Sequence, residues 1–338
     1  MDDIIITSSS APAIDTLLSN LKFDFAVKHL GPLHFFLRIE VIPTAHRVLL
    51  SQQRYIKDIL NRTKMIETKP MSTPMASSTN LLAYEREPFS NHTLFRSTVG
   101  ALQYLSITRP DIAFSVNKLS QFMHKPTQPH WQSVKCLLRY LKSTIQFRLH
   151  IYRSSCSTLQ AYSNADWAGN KDDCRSTGSF CIFLSKNLIS WGCRKKATVA
   201  RSSTEVKYKA LANTAAELKW LQSLFHELGL VMSTPPTLWG DNIGANYLSS
   251  NPVFHARTKH IEIDFHFVRD MVASKCLNVH FVSSTDQLAD LLTKPISYSQ
   301  FALLRTKLNV LFIPLGLRGR VKDKPQSSQV DNHQASNG

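Results

Sequence analysis

The sequence predicts an α/β fold, and its middle carries that expectation. Residues 158–165 alternate Leu159, Ala161 and Ser163 with Gln160, Tyr162 and Asn164, a period of two that reads as a strand. Two more strand-like runs follow, 177–184 and 188–194, with Asn187 at the turn between them. Ser202-Ser-Thr-Glu205 then opens a long amphipathic run. With what comes after, the order is β-β-β-α-β-α-α-β-α, a layout that puts functional side chains at strand ends.

In chain order, Asp2 and Asp3 feed a β-branched run that reads as a strand, ending in a polar turn by residue 10. So abrupt an entry is expected of a piece of a longer chain. Residues 12–28 read as a helix with Leu17, Leu18, Leu21 and Phe25 on a stripe, broken by Gly31-Pro32. Residues 33–42 and 47–50 read as a strand pair, and 51–64 as a helix with Ser51 at its N-cap. The Ser-, Thr- and Pro-rich segment 70–88 has few apolar residues and reads as an extended connector. Helices are expected over 95–106, 111–123 and 129–142, the last with Lys135, Arg139 and Lys142 off its apolar face. Those cations read either as a solvated surface or as a face that tracks nucleic acid. Residues 145–157 read as a short strand and linker.

Beyond the meander, the run 203–228 is expected as one helix stopped by Gly229. Residues 237–241 read as a short strand, 242–250 and 259–275 as helices and 277–282 as a strand. Ser284-Thr-Asp-Gln287 fits a capping box for a helix through residue 292, and 298–308 is the last helix. The tail from 318 on is polar and is expected to be disordered. Trp167 and Trp191 read as core residues rather than base-stacking platforms.

The 338 residues are 43% hydrophobic, enough for a buried core. The formal net charge of +16 favours a polyanionic partner such as nucleic acid. None of the six cysteines forms a C-x-x-C pair, so reduced thiols in a cytoplasmic or nuclear setting are expected. The start lacks a basic signal-peptide region, and no apolar run reaches the ~18 residues that span a bilayer.

Four acids fall at element ends: Asp166 after the first meander strand, Glu205 at a helix start, Asp241 at the end of the fourth strand, and Asp290 in the first turns of the helix expected after Gln287. Clustered carboxylates suit hard divalent cations such as Mg²⁺, and two such ions can clamp a phosphodiester. Each acid also has a plainer role. Glu205 fits a capping box with Ser202, Asp241 a helix N-cap, Asp290 the positive end of a helix, and Asp166 a turn. Their joint pattern is what points to metal chemistry.

Several phrases carry a resemblance. They include Leu30-Gly-Pro-Leu-His-Phe-Phe-Leu37, Val99-Gly-Ala-Leu-Gln-Tyr-Leu105, Thr108-Arg-Pro-Asp-Ile-Ala113, Ala197-Thr-Val-Ala-Arg-Ser-Ser-Thr-Glu205, Arg257-Thr-Lys-His-Ile-Glu262 and Ala289-Asp-Leu-Leu-Thr-Lys-Pro295. Over roughly residues 1–310 the chain resembles the C-terminal part of the Pol polyprotein of Ty1/copia-type LTR retrotransposons, the end of the reverse transcriptase followed by the ribonuclease H domain. The resemblance implies a ribonuclease H-like mixed sheet flanked by helices, preceded by a truncated reverse-transcriptase palm end with a helical thumb or connection. The implied division is palm and thumb remnant 1–70, linker 71–94, helical connection 95–145, ribonuclease H-like domain 158–295, C-terminal helix 296–317 and tail 318–338. It further implies Mg²⁺-dependent cleavage of the RNA strand of RNA–DNA hybrids at a two-ion site.

The departures from the family decide what to expect. The first catalytic acid of the family lies in a Ser-Asp-Ala-Asp-Trp-Ala-Gly phrase, where this chain reads Ser163-Asn164-Ala165-Asp166-Trp167. Asn164 thus stands at the position that should bridge both metals, while Glu205, Asp241 and Asp290 match the other three acids. An amide is uncharged and cannot form an anionic bridge. Asp166, a possible substitute, lies ~6–7 Å further along the strand. The family often carries a second Glu where this chain has Lys207. Ribonuclease H activity is therefore expected to be weak or absent. Met1-Asp2-Asp3 resembles the end of a polymerase metal motif without its partner acid, so no polymerisation is expected of this chain alone. Arg38 stands where the family tends to have Gly, and His29 before Leu30-Gly31 is a further departure. His255, His260 and His266 lack the spacing of a metal site; Arg257, Lys259 and His260 are expected near the substrate backbone instead. The rival expectations are a non-catalytic nucleic-acid-binding remnant and an inert product of a decayed element.

Overall fold

A computed structural model of the chain describes residues 4–76, 79, 81–83, 87–250 and 261–312. The first half runs α1 (Ala11–Asp24), β1 (Phe35–Phe36), β2 (Ile39–Pro43), β3 (Arg47–Ser51), α2 (Gln53–Arg62), α3 (His92–Leu105), a short 3-10 turn (Pro110–Ile112), α4 (Ala113–Ser120), α5 (Gln128–Ser143) and β4 (Arg148–Tyr152). The meander follows as β5 (Leu159–Ala165), β6 (Thr177–Leu184) and β7 (Asn187–Lys195), feeding α6 (Ser203–Glu227). Then come β8 (Thr237–Gly240), α7 (Ile243–Ser250), α8 (Glu262–Ala273), β9 (Asn278–Phe281), a second 3-10 turn (Leu288–Leu292), α9 (Tyr298–Lys307) and β10 (Val310–Leu311).

The meander forms one side of a mixed sheet in the order β7-β6-β5-β8-β9. β5, β6 and β7 pair antiparallel, whereas β8 lies parallel to β5 and β9 parallel to β8. This is the α/β architecture expected, with helices on both faces. Period-2 alternation sorts β5 between them. Leu159 and Ala161 join Ile182, Leu238 and the Tyr208, Leu211, Ala215 and Leu218 stripe of α6 in one core. Tyr162 faces the opposite core, where Cys181, Phe183 and Leu188 meet α3 and α5 through Leu102, Val134, Leu138 and their neighbours. Ser202 caps α6 by accepting the Glu205 N–H at 3.1 Å, and Gly229 follows the helix at φ +72°.

The first half holds a second sheet, β1-β2-β3-β4-β10, antiparallel throughout. Its last strand comes from the far end of the chain. β10 pairs with β4, while α9 buries Phe301 and Leu304 in the core shared with α3 and α5. Segment 145–157, read as a strand and linker, therefore supplies an internal strand of this sheet. Segment 70–88 is less of a bare connector than its composition suggests: Met75 and Leu81 are buried in the same core, as is Phe89 just beyond. Among residues 4–10 no strand forms, and no residue of α1 is fully buried. Trp191 is half-buried as expected of a core residue, but Trp167 is exposed, its Nε1 donating to the Ala200 carbonyl at 3.1 Å. The second 3-10 turn replaces the helix expected there, and Gln287 rather than Ser284 caps it by accepting the Ala289 N–H. Arg38, at a position where the resemblance favours Gly, adopts φ +62°, the left-handed conformation that Gly takes without strain. No helix among the described residues is long and apolar enough to cross a membrane.

One buried polar cluster joins these parts. Arg109 Nε and Nη2 donate to the two oxygens of Asp111 at 2.9 and 2.7 Å. The same guanidinium donates to the Thr144 carbonyl at 3.1 Å and hydroxyl at 2.8 Å. Tyr140 Oη donates to Asp111 at 2.5 Å and accepts from Arg305 Nη1 of α9 at 3.3 Å. Removing one member of a buried pair leaves an uncompensated charge and costs about 3–5 kcal/mol. Arg109→Leu is accordingly expected to lose that much in urea unfolding, and Arg109→Met with Asp111→Leu much less; equal losses in both would contradict this account.

Candidate nucleic-acid and metal site

The end of the mixed sheet brings Asn164 and Asp290 into contact, with Asp241 on the adjacent strand. Ser163 of β5 lies beside Gly240 of β8, so Asn164 and Asp241 are the next residues on adjacent parallel strands. The second 3-10 turn is tied down over this end, with Gln287 Nε2 donating to the Ser163 carbonyl at 3.1 Å and Ser179 Oγ to the Ala289 carbonyl at 3.0 Å. Asp290 is thereby held against β5, where Asn164 Nδ2 donates to Asp290 Oδ1. The first turns of α6 reach the same place, because Lys207 Nζ donates to both oxygens of Asp241 at 2.9 and 2.8 Å.

Each of the three acids is held by a lysine. Besides Lys207 on Asp241, Lys209 Nζ lies 2.8 Å from Glu205 Oε1, and Lys294 Nζ lies 2.9 Å from Asp290 Oδ2. Glu205 Oε2 also accepts the Arg201 N–H at 2.8 Å, which satisfies a backbone donor at the helix start. Asp241 is not the cap of α7; Asn242 fills that role by accepting the Ala245 N–H at 2.7 Å. At Asn164 both ends of the amide are engaged. Its oxygen accepts the Ala165 N–H at 2.7 Å while its nitrogen serves Asp290.

Asp166 stands apart from this group. Its carboxylate accepts the Thr177 N–H. Burial pushes its pKa up to about 6, against the pull of the Thr177 N–H and the nearby Lys118. Asp2, Asp3, Arg257, Lys259, His255 and His260 lie outside the described residues. Of the basic residues on α5, Lys142 donates to the Thr68 carbonyl at 2.7 Å and Arg139 to that of Lys69 at 2.6 Å. These two hold the chain after α2 rather than an open face.

The donor set does not fit a pair of Mg²⁺ ions. Hard cations need several anionic oxygens facing one space. Here three carboxylates are already paired with ammonium groups, and the fourth position offers an uncharged amide. Among the described residues, no three His, Cys, Asp or Glu side chains are grouped so as to hold a metal ion. The lysines were the part that sequence reasoning missed. Glu205/Lys209 and Asp290/Lys294 stand at i,i+4, a spacing legible in the sequence. Lys207 and Asp241 are 34 residues apart and meet only through the fold.

A family model described as reverse transcriptase (RNA-dependent DNA polymerase) matches residues 1–77. The chain is 47% identical over 314 residues to the retrovirus-related Pol polyprotein from transposon RE1 of Arabidopsis thaliana, covering 93% of this chain and 21% of that protein. It is 34% identical over 314 residues to the one from transposon TNT 1-94 of Nicotiana tabacum, covering 90% of this chain and 24% of that protein. The chain thus spans under a quarter of the length of these two relatives. Among solved structures, the N-terminal RNase H domain of a Mycobacterium tuberculosis protein, fused to maltose binding protein, is 12% identical, covering 44% of this chain and 97% of that chain with a TM-score of 0.31. That likeness is too slight to build on.

The raised pKa of Asp166 sets a pH dependence. A carboxyl whose folded pKa lies above its ordinary value of 3.8 favours folding below that value, and the contribution is lost as pH rises through about 6. Asp166→Asn keeps an acceptor for Thr177 but cannot titrate. Its melting temperature relative to the unmodified chain is expected to rise from pH 4 to pH 7; parallel curves would contradict the shift.

Proposed function

The chain belongs to the Ty1/copia-type LTR retrotransposon Pol polyprotein family, and from that premise we propose that its ribonuclease H-like half binds RNA–DNA hybrid without the Mg²⁺-dependent cleavage of the family. The observation that carries this reading is the hydrogen bond from Asn164 Nδ2 to Asp290. Two carboxylates in such contact repel unless a cation or a proton lies between them. An amide removes that repulsion and with it the demand for the bridging ion. Lys207 does the same for Asp241. Asp166 does not restore the missing acid, since its carboxylate is turned to the Thr177 N–H.

Support for binding comes from charge. The net +16 favours a phosphate backbone, and phosphate contacts dominate the affinity of such complexes. Arg257, Lys259 and His260 are proposed as backbone contacts on the strength of the family resemblance. Exposed Trp167, beside Asp166, is available for base stacking. The free cysteines support a reducing cytoplasmic or nuclear setting.

The test is cleavage of a labelled RNA–DNA hybrid in Mg²⁺. The unmodified chain is expected to leave the hybrid intact. Asn164→Asp alone is expected to gain little, because Lys207 still occupies Asp241, whereas Asn164→Asp with Lys207→Glu is expected to gain most. Mg²⁺ at a hundred times its Kd should then stabilise the double variant by about 2.7 kcal/mol and leave the unmodified chain unchanged. Full activity in the unmodified chain would sink the reading.

A further inference from the structure

The seam between the two sheets gathers cations that no carboxylate meets. On β4, period-2 alternation puts Arg148, His150 and Tyr152 on one face. Arg47 of β3 stands opposite Tyr152, its guanidinium carbon 6.0 Å from the centre of the phenol ring. Lys186, in the turn between β6 and β7, brings its ammonium to 4.6 Å from the centre of the same ring. Both cations thus lie against one side chain. The turn that carries Lys186 is pinned on two sides. Asn187 Oδ1 accepts the Tyr152 N–H at 2.7 Å, Asn187 Nδ2 donates to the Tyr152 carbonyl at 2.8 Å, and Asn309 Nδ2 donates to the Lys186 carbonyl at 2.6 Å. Beneath the cations, His150 is buried. Arg47 Nη1 lies 3.4 Å from its Nδ1, and since a guanidinium only donates, that nitrogen accepts. Burial, then the charges of Arg47 and Arg148, hold the imidazole below its ordinary pKa and outweigh a hydrogen bond with the Leu311 backbone. Arg148 Nε is buried with no hydrogen-bond partner. Among the described residues no ion pair reaches Arg47, Arg148 or Lys186; Glu40 of β2 pairs with Arg54 instead.

We propose that Arg47 and Lys186, set against Tyr152 at the seam of the two sheets, bind a phosphate group, with Arg148 adding its charge from the same face of β4. Like charges held together without a counter-ion repel, and a phosphate dianion relieves more of that repulsion than a carboxylate does. The donors suit it. A guanidinium presents a planar fork matched to phosphate, of which Arg47 spends one N–H on His150, and an ammonium adds a point charge. The site is open to solvent, since Arg47 and Tyr152 are half-buried and Lys186 is exposed. It lies in the antiparallel sheet and its adjoining turn, away from Asn164 and Asp290, and stands whether or not the mixed-sheet end binds hybrid. The phosphate comes from one of two sources with the same chemistry, free phosphate or the terminal phosphate of a nucleic-acid strand.

The experiment is calorimetric titration of inorganic phosphate into the full chain at constant ionic strength in chloride, beside lysine acylation footprinting. Phosphate is expected to bind saturably and to slow acylation of Lys186, while chloride does not. Arg47→Gln and Lys186→Gln each weaken phosphate by roughly tenfold, the worth of one hydrogen bond to a charged group. Footprinting on the unmodified chain decides the matter even if Arg47→Gln fails to fold. A short oligonucleotide with a 5′-phosphate then competes with inorganic phosphate if the strand end is the source, and its 5′-hydroxyl twin does not; free phosphate is the source if neither competes. No saturable uptake of phosphate, uptake with Lys186 acylated at an unchanged rate, or equal affinity in Lys186→Gln and the unmodified chain would overturn the site.

Discussion

Arg109 and Asp111 form an ion pair sealed from solvent, in a cluster that the returning chain reaches through Arg305. Burial works against both charges, and a buried pair is tolerated only when its remaining donors and acceptors are satisfied. Here they are met by Thr144 and Tyr140. Burial pushes the Asp111 carboxyl up, and Arg109 with Tyr140 outweigh it and hold the group below its ordinary range. Tyr140 in turn accepts from Arg305 on α9, the helix that follows the 3-10 turn carrying Asp290. One hydrogen bond thus ties the polar cluster of the first-half helices to the helix that follows the last acid of the mixed sheet.

What sits there is a set of charges that satisfy one another. A constellation of acids at strand ends is ordinarily unstable without cations, because like charges in a partly desolvated space repel. In this chain one acid position is an amide and the other three acids each meet a lysine, four residues away for Glu205 and Asp290 and across the fold for Asp241.

The meander and its helix were legible because two physical signals agreed there. Strict alternation marks a strand buried on one face, and Ser202 with Glu205 marks a helix start. The antiparallel sheet of the first half was only partly legible, since β10 is two residues long and pairs with β4 across nearly half of the chain. Segment 70–88 misled through its composition: Met75 and Leu81 are sparse, but both are buried. Of the site, Asn164 could be read as a departure from the family phrase, and two lysines could be found from helical spacing. Lys207 on Asp241 could not, because nothing local links a helix side chain to the end of a strand that follows it by 34 residues. Trp167 shows the converse error, an aromatic assigned to the core by type that the fold leaves exposed.

Lysine and asparagine side chains are proposed to occupy the place of the ions, and a calorimetric titration of Mn²⁺ or Mg²⁺ into the metal-free chain tests this directly. No stoichiometric uptake at the sheet end is expected. Saturable binding of two ions per chain, abolished by Asp241→Asn, would contradict it.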